Sequence, residues 1–283
     1  MPVPEIAQAA TVASWAPTEM RSRRQLLNME PGRTGVRYAG RMLIERVRVK
    51  PSAVEDGAWP WTVPAIGDLA AHGVRLNSSI VILVGANGSG KSTLLEAIAE
   101  GYGLDVRGGH GGRKYASELD MSPLGEAITL DRTGAGSRMI GRNAKGFYLR
   151  AETAFGMLAF MTEAGMPGYG DRLSSEVSHG ESYLQAITGR FSGPGLYLLD
   201  EAEGPLSFES TLQLLYRLQD LVTEHNAQVI YATHSPMVAA LPGAQILEMT
   251  DQGITERKWA ELESVALWKR FLGRPDMFFD DAS

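Results

Sequence analysis

The chain has 283 residues, 44% hydrophobic and 21% charged, which is ordinary for a water-soluble protein with a sizeable core, long for one domain but not requiring two. It contains no cysteine, so disulfides, thiolate catalysis and cysteine-held metals are excluded, and a reducing cytoplasmic setting is expected. The formal net charge of −6 hides an asymmetry: between Arg21 and Lys50 a run of basic residues faces only Glu30 and Glu45.

The opening "MPVPEIAQAATVASWAPTEM" has no basic residue ahead of an apolar block, so no secretory signal is expected. No apolar run approaches the roughly 20 residues that span a bilayer, so no membrane insertion is expected either. Residues 1–36 lack periodicity and read as a basic, flexible arm, and residues 37–283 as one α/β domain. "MLIERVRVK" alternates Val47 and Val49 with Arg46, Arg48 and Lys50, the pattern of a strand with one wet face. "GAWPWTVPAI", with its prolines, reads as an irregular loop or edge. "SSIVILVGANGSG" is a buried strand ending in glycines, and "KSTLLEAIAEGYG" the helix that follows it. Residues 104–145 are rich in glycine and arginine and read as a loop-rich insertion with short helices, part of a wider region, 101–190. "GFYLRAE" reads as a strand and "TAFGMLAFMTEAG" as an apolar helix. "GLYLLDE" is a strand, and "SFESTLQLLYRLQDLVTEHN" a helix with Phe208, Leu212, Leu215, Leu218 and Val222 on one face. "AQVIYATHS" is a further buried strand. A hairpin across Asp251-Gln252-Gly253 and a closing helix, "ELESVALWKRFLG", complete the pattern. Strands alternating with helices predict a mostly parallel central sheet with an antiparallel edge.

The segment Gly85-Ala86-Asn87-Gly88-Ser89-Gly90-Lys91-Ser92 fits G-x-x-x-x-G-K-[ST] at each fixed position, between a buried strand and an amphipathic helix. Glycines let the backbone curl so that amides of Asn87, Gly88, Ser89 and Gly90 point at phosphate oxygens. Lys91 supplies a charge near the β- and γ-phosphates, Ser92 a hydroxyl for Mg²⁺, and Thr93 lies beside them at the helix start, whose positive end faces the same anion. "LYLLDE" sets Asp200 and Glu201 at the tip of an apolar strand, where unpaired acids are costly. Asp200 suits the metal and Glu201 the polarising of a water. His234, ending "YATHS", falls along the same sheet edge, within reach of a γ-phosphate. In "SEVSHGESYLQAI", Ser178 and Glu181 form a capping box opening a helix.

These motifs, "GANGSGKST", "SHGES", "LYLLDE" and "ATHS" in that order, resemble those of the ABC-type ATPases over roughly Met42 to Trp259. The resemblance implies a P-loop fold, with ATP and Mg²⁺ as cofactors, Glu201 as catalytic base and His234 as switch histidine. It implies that Ser178, Gly180 and Glu181 stand where the family signature touches the ATP of a second copy, which makes an ATP-dependent homodimer the expected assembly. His179, Gly180 and Glu181 depart from the usual Leu-Ser-Gly-Gly-Gln. The family's loop glutamine is absent from "GFYLRAETAF"; Glu152, or else Arg150, takes its place, with Glu152 counted as a metal-side residue. Trp59 or Trp61 is a candidate for stacking on adenine.

The leading reading is an ATP-hydrolysing switch that dimerises around ATP, with nucleic acid or phage defence as the field of action suggested by the basic segments. The ATPase subunit of a membrane transporter, served by a separate membrane protein, is the alternative, and the missing glutamine counts against it. A small-molecule P-loop kinase, with Arg138 and Arg142 as a lid, and a nucleotide sensor that does not hydrolyse rank lower.

Overall fold

The computed structural model describes residues 41–106, 109–110, 121–139, 143–150, 183–184, 188–189 and 191–279, all within the unit Gly35–Ser283. A seven-stranded sheet forms its centre. In spatial order the strands are β10 (Gly253–Arg257), β9 (Gln245–Thr250), β3 (Ile80–Gly85), β8 (Gln228–Thr233), β7 (Leu196–Asp200), β6 (Gly146–Arg150) and β4 (Gly109–His110). The five inner strands run parallel, and β10 and β4 are antiparallel edges. A smaller antiparallel sheet has β1 (Ile44–Val49) between β2 (Val74–Arg75) and β5 (Ile128–Arg132).

The apolar runs of the inner strands face a core on both sides, as a parallel sheet covered on two faces requires. Val81 and Leu83 point with Leu198, Ile230 and Met249 into one core, shared with β1 and the helices α1 (Pro64–His72) and α2 (Lys91–Tyr102). Ile80, Ile82 and Val84 point with Leu199, Val229 and Tyr231 into the other, closed by α4 (Phe208–His225) and α5 (Pro236–Ala239). The remaining helices are α3 (Pro123–Ala127) and α6 (Glu263–Gly273). The two sheets are tied by Gln228, which is fully buried at the start of β8. Its Oε1 accepts from the amides of Leu43 and Ile44, both at 2.8 Å, and its Nε2 donates to the Ile44 carbonyl at 2.9 Å.

Three expectations change. The proline-rich "GAWPWTVPAI" is not irregular throughout, since Pro64 takes the first turn of α1, where a missing N–H costs nothing. The insertion expected to be loops and short helices contains β5, which pairs along β1 from Ile44 to Val49. In α4 the inward face is Thr211, Leu214, Leu215, Leu218, Leu221 and Val222, whereas Phe208 is 63% exposed. Phe208 directly follows the N-cap Ser207, whose hydroxyl accepts from the Ser210 amide, and the phase of the helix turns it outward. The helix expected over 153–165 lies outside the described residues.

Candidate nucleotide site

The parallel register delivers the candidate residues to one sheet edge. Val84 of β3 lies opposite Thr233 of β8, and Asp200 of β7 opposite Ala232, so the carboxyl ends of these strands open side by side. The Glu201 amide donates to the Ala232 carbonyl at 2.9 Å, extending the ladder one residue beyond β7. Glu201 then takes φ of 51°, a left-handed backbone uncommon outside glycine.

In the loop after β3, Gly88 and Gly90 have φ of 79° and 96°. A side chain at Gly85 would lie 2.4 Å from the Met249 carbonyl, so only glycine lets the loop leave the strand there. Ser89 Oγ is buried and makes no hydrogen bond among the described residues. Lys91, only 4% exposed at the start of α2, donates to the carbonyls of Gly85 at 2.9 Å and Ala86 at 3.1 Å, and lies 3.0 Å from His234 Nε2. Burial lowers its pKa, while the charges of Glu201 and Asp200 work to raise it. Next to it, Ser92 Oγ donates to Asp200 Oδ1 at 3.1 Å. Burial also pushes the Asp200 carboxyl above its usual range; the Ser92 hydrogen bond and the Arg150 charge oppose that rise. His234 Nε2 is also 3.0 Å from Glu201 Oε1.

Lys91, Ser92, Asp200, Glu201 and His234 thus converge from α2 and the ends of β7 and β8. Asn87, Gly88, Ser89 and Gly90 form the loop beside them, and Thr93 follows in the first turn of α2. Ser178, Gly180, Glu181 and Glu152 lie outside the described residues, as does Arg142. Trp61 is 8% exposed and packed in the core, so it is no free stacking platform, while Trp59 is 58% exposed.

One residue escaped the sequence reading. Glu203 accepts from the Tyr231 hydroxyl at 2.7 Å and from the Thr233 hydroxyl, and Thr233 Oγ1 accepts in turn from the Ser235 amide at 2.8 Å. These bonds bracket His234 on both sides. Its place two residues beyond the acidic pair was the available signal.

The basic residues of β1, and Lys50 just after it, are engaged within the molecule. Arg46 donates to the His72 carbonyl, Arg48 pairs with Asp131, and Lys50 donates to the Glu126 carbonyl.

No family model matches the chain. Over 183 residues it is 32% identical to the aliphatic sulfonates import ATP-binding protein SsuB 2 of Nocardia farcinica, covering 60% of this chain and 68% of that protein. The chain belongs to the ABC-type ATPases. A second relative of this ATPase is the Fe(3+) ions import ATP-binding protein FbpC of Streptomyces coelicolor, 27% identical over 185 residues, covering 62% of this chain and 53% of that protein. The ATPase therefore spans between about half and two thirds of the length of these relatives. Among solved structures, cbiO1 of Clostridium perfringens, part of the ABC transporter complex cbiONQ, matches 83% of this chain and 97% of that one, with a TM-score of 0.46 at 16% identity. No helix among the described residues is long and apolar enough to cross a membrane.

Proposed function

We propose that the chain is the ATP-hydrolysing subunit of a membrane transporter, working as a pair of copies that close around Mg·ATP and acting through a separate membrane protein. The observation that carries the hydrolytic part is the convergence of Lys91, His234 and Glu201 on one side of Ser92 and Asp200. The transporter part is supported by the relatives, both of which are import ATP-binding proteins. Their names give different cargoes, aliphatic sulfonates and Fe(3+) ions. Their names favour this reading over action on nucleic acid, and the intramolecular bonds of Arg46, Arg48 and Lys50 agree with it.

Ser92 and Asp200 would hold Mg²⁺, both being oxygen donors of the kind it takes. When bound, it supplies charge neutralisation at the phosphoryl group. The residues of the chain do the rest. The amides of Asn87 to Gly90 cradle phosphate oxygens, and Lys91 Nζ turns from the loop carbonyls to the terminal phosphoryl oxygens. Glu201 Oε1 accepts a hydrogen bond from the attacking water and holds it in line. His234 Nε2–H steadies that carboxylate beside the γ-phosphate. On this reading Ser178, Gly180 and Glu181 of the second copy would meet the same phosphate, and Glu152 would serve the metal side.

A soluble switch remains the second reading, because "GFYLRAETAF" has no glutamine at the place where the family's transporter subunits receive the membrane partner. Tagged protein purified from solubilised membranes decides between them. A membrane protein that co-purifies and stimulates ATP turnover supports the transporter subunit; unchanged turnover and no such protein support the switch.

A further inference from the structure

Two adjacent turns of α2 face two adjacent strands. Ser92 and Glu96 stand four residues apart on that helix and so share one face. Ser92 Oγ reaches Asp200 at the end of β7, and Glu96 Oε2 lies 3.6 Å from Arg150 Nη1 at the end of β6. The two strands are parallel neighbours, and their register sets Arg150 directly opposite Asp200. Their ends therefore bring a guanidinium together with the carboxylate assigned to the metal. In "GFYLRAETAF", which lacks the family's loop glutamine, this arginine is the residue that the sheet sets level with Asp200. Its charge acts on the Asp200 carboxyl more strongly than that of Lys91 does.

We propose that Arg150 sets how far ATP binding by this chain depends on Mg²⁺; this rests on the phosphate site proposed above. The guanidinium supplies, from within the chain, part of the positive charge that the metal brings to the same carboxylate. The sign follows from the charges at this edge, where Asp200, Glu201 and Glu96 are acidic and Lys91 and Arg150 basic. Removing the Arg150 charge leaves the edge more acidic, which repels the phosphates of metal-free ATP and attracts a divalent cation. Removing the Glu96 charge does the reverse. Both side chains are partly buried, 23% and 33% exposed, so salt screens these effects less than it would at the open surface. A pair that only ties α2 to β6 behaves otherwise, since the loss of either member then acts in the same direction.

Titration calorimetry of the full chain with the β,γ-imido analogue of ATP, once with Mg²⁺ and once with a chelator in its place, tests this. The quantity read is the gain in affinity that Mg²⁺ brings. Arg150→Gln should raise that gain by about tenfold, chiefly by weakening the metal-free nucleotide, and Arg150→Lys should keep it near the unmodified value. Glu96→Gln should lower it. An unchanged gain in Arg150→Gln overturns the proposal, and so does a gain in Glu96→Gln that stays level or rises. Either result, with the unmodified chain still binding the nucleotide, removes this inference alone. Absence of binding by the unmodified chain, with and without Mg²⁺, removes the phosphate site and this inference with it.

Discussion

His234 Nε2 lies 3.0 Å from Glu201 Oε1 and also 3.0 Å from Lys91 Nζ. An ammonium only donates and an ionised carboxylate only accepts, so the one ring nitrogen cannot serve both partners at once. Nε2 accepts from Lys91 in one arrangement and donates to Glu201 in the other. On the proposed mechanism, a phosphoryl oxygen that takes over Lys91 would leave Nε2–H to hold Glu201, coupling phosphate binding to the alignment of the proposed base.

This coupling sets the expected behaviour of His234 variants. His234→Ala should lower ATP turnover by about 100-fold while ATP affinity changes little. His234→Gln, which keeps an Nε2 donor at a similar reach but on a flexible chain, should recover part of the loss. Steady-state phosphate release with a parallel nucleotide-binding titration checks it. Equal loss in affinity and turnover would mean that His234 only holds the phosphate.

Glu203 should behave as a positioning residue. Glu203→Ala leaves the hydroxyls of Tyr231 and Thr233 without their acceptor beneath His234, and urea unfolding should show a cost of about 2–4 kcal/mol. Glu203→Gln retains an acceptor and should restore most of that stability. Turnover should follow the same order.

The backbone at Glu201 gives a separate test. At φ of 51° a β-carbon is strained, so Glu201→Gly should be more stable than Glu201→Ala by about 1 kcal/mol, with both inactive. Equal stabilities in urea would mean that the turn after β7 carries no such strain.

Asp200 carries a pH signature. Burial raises its folded-state pKa above the ordinary 3.8, so the folded protein holds this proton more tightly than the unfolded chain. Its contribution to stability is complete below 3.8 and is lost as pH rises through the raised folded value. Asp200→Asn removes that loss: without Mg·ATP its stability relative to the unmodified chain should grow as pH rises through this window and then level off. Stabilisation by Mg·ATP should weaken in the same variant. Unfolding midpoints across the acidic to neutral range measure both.

Much of the site was legible because the motifs end apolar runs. "IVILVG", "LYLLD" and "VIYAT" read as strands from their hydrophobicity, and the parallel sheet then placed Lys91, Asp200, Glu201 and His234 together. What was not legible depends on partners distant in the chain. Gln228 reads as a polar residue opening a strand, and its partners Leu43 and Ile44 lie about 185 residues earlier. "ITLDR" carries too little alternation to declare β5, which exists because β1 offers it an antiparallel edge. Phe208 reads as core by type, yet α4 is phased by its leucines.

The most direct test of the account is phosphate release at saturating Mg·ATP from the unmodified chain and from Glu201→Gln. The account predicts Mg²⁺-dependent release by the former, and at least about a 100-fold reduction in the latter with ATP still bound. Release by Glu201→Gln at the unmodified rate would contradict the assignment of Glu201, and with it the hydrolytic site at the ends of β7 and β8.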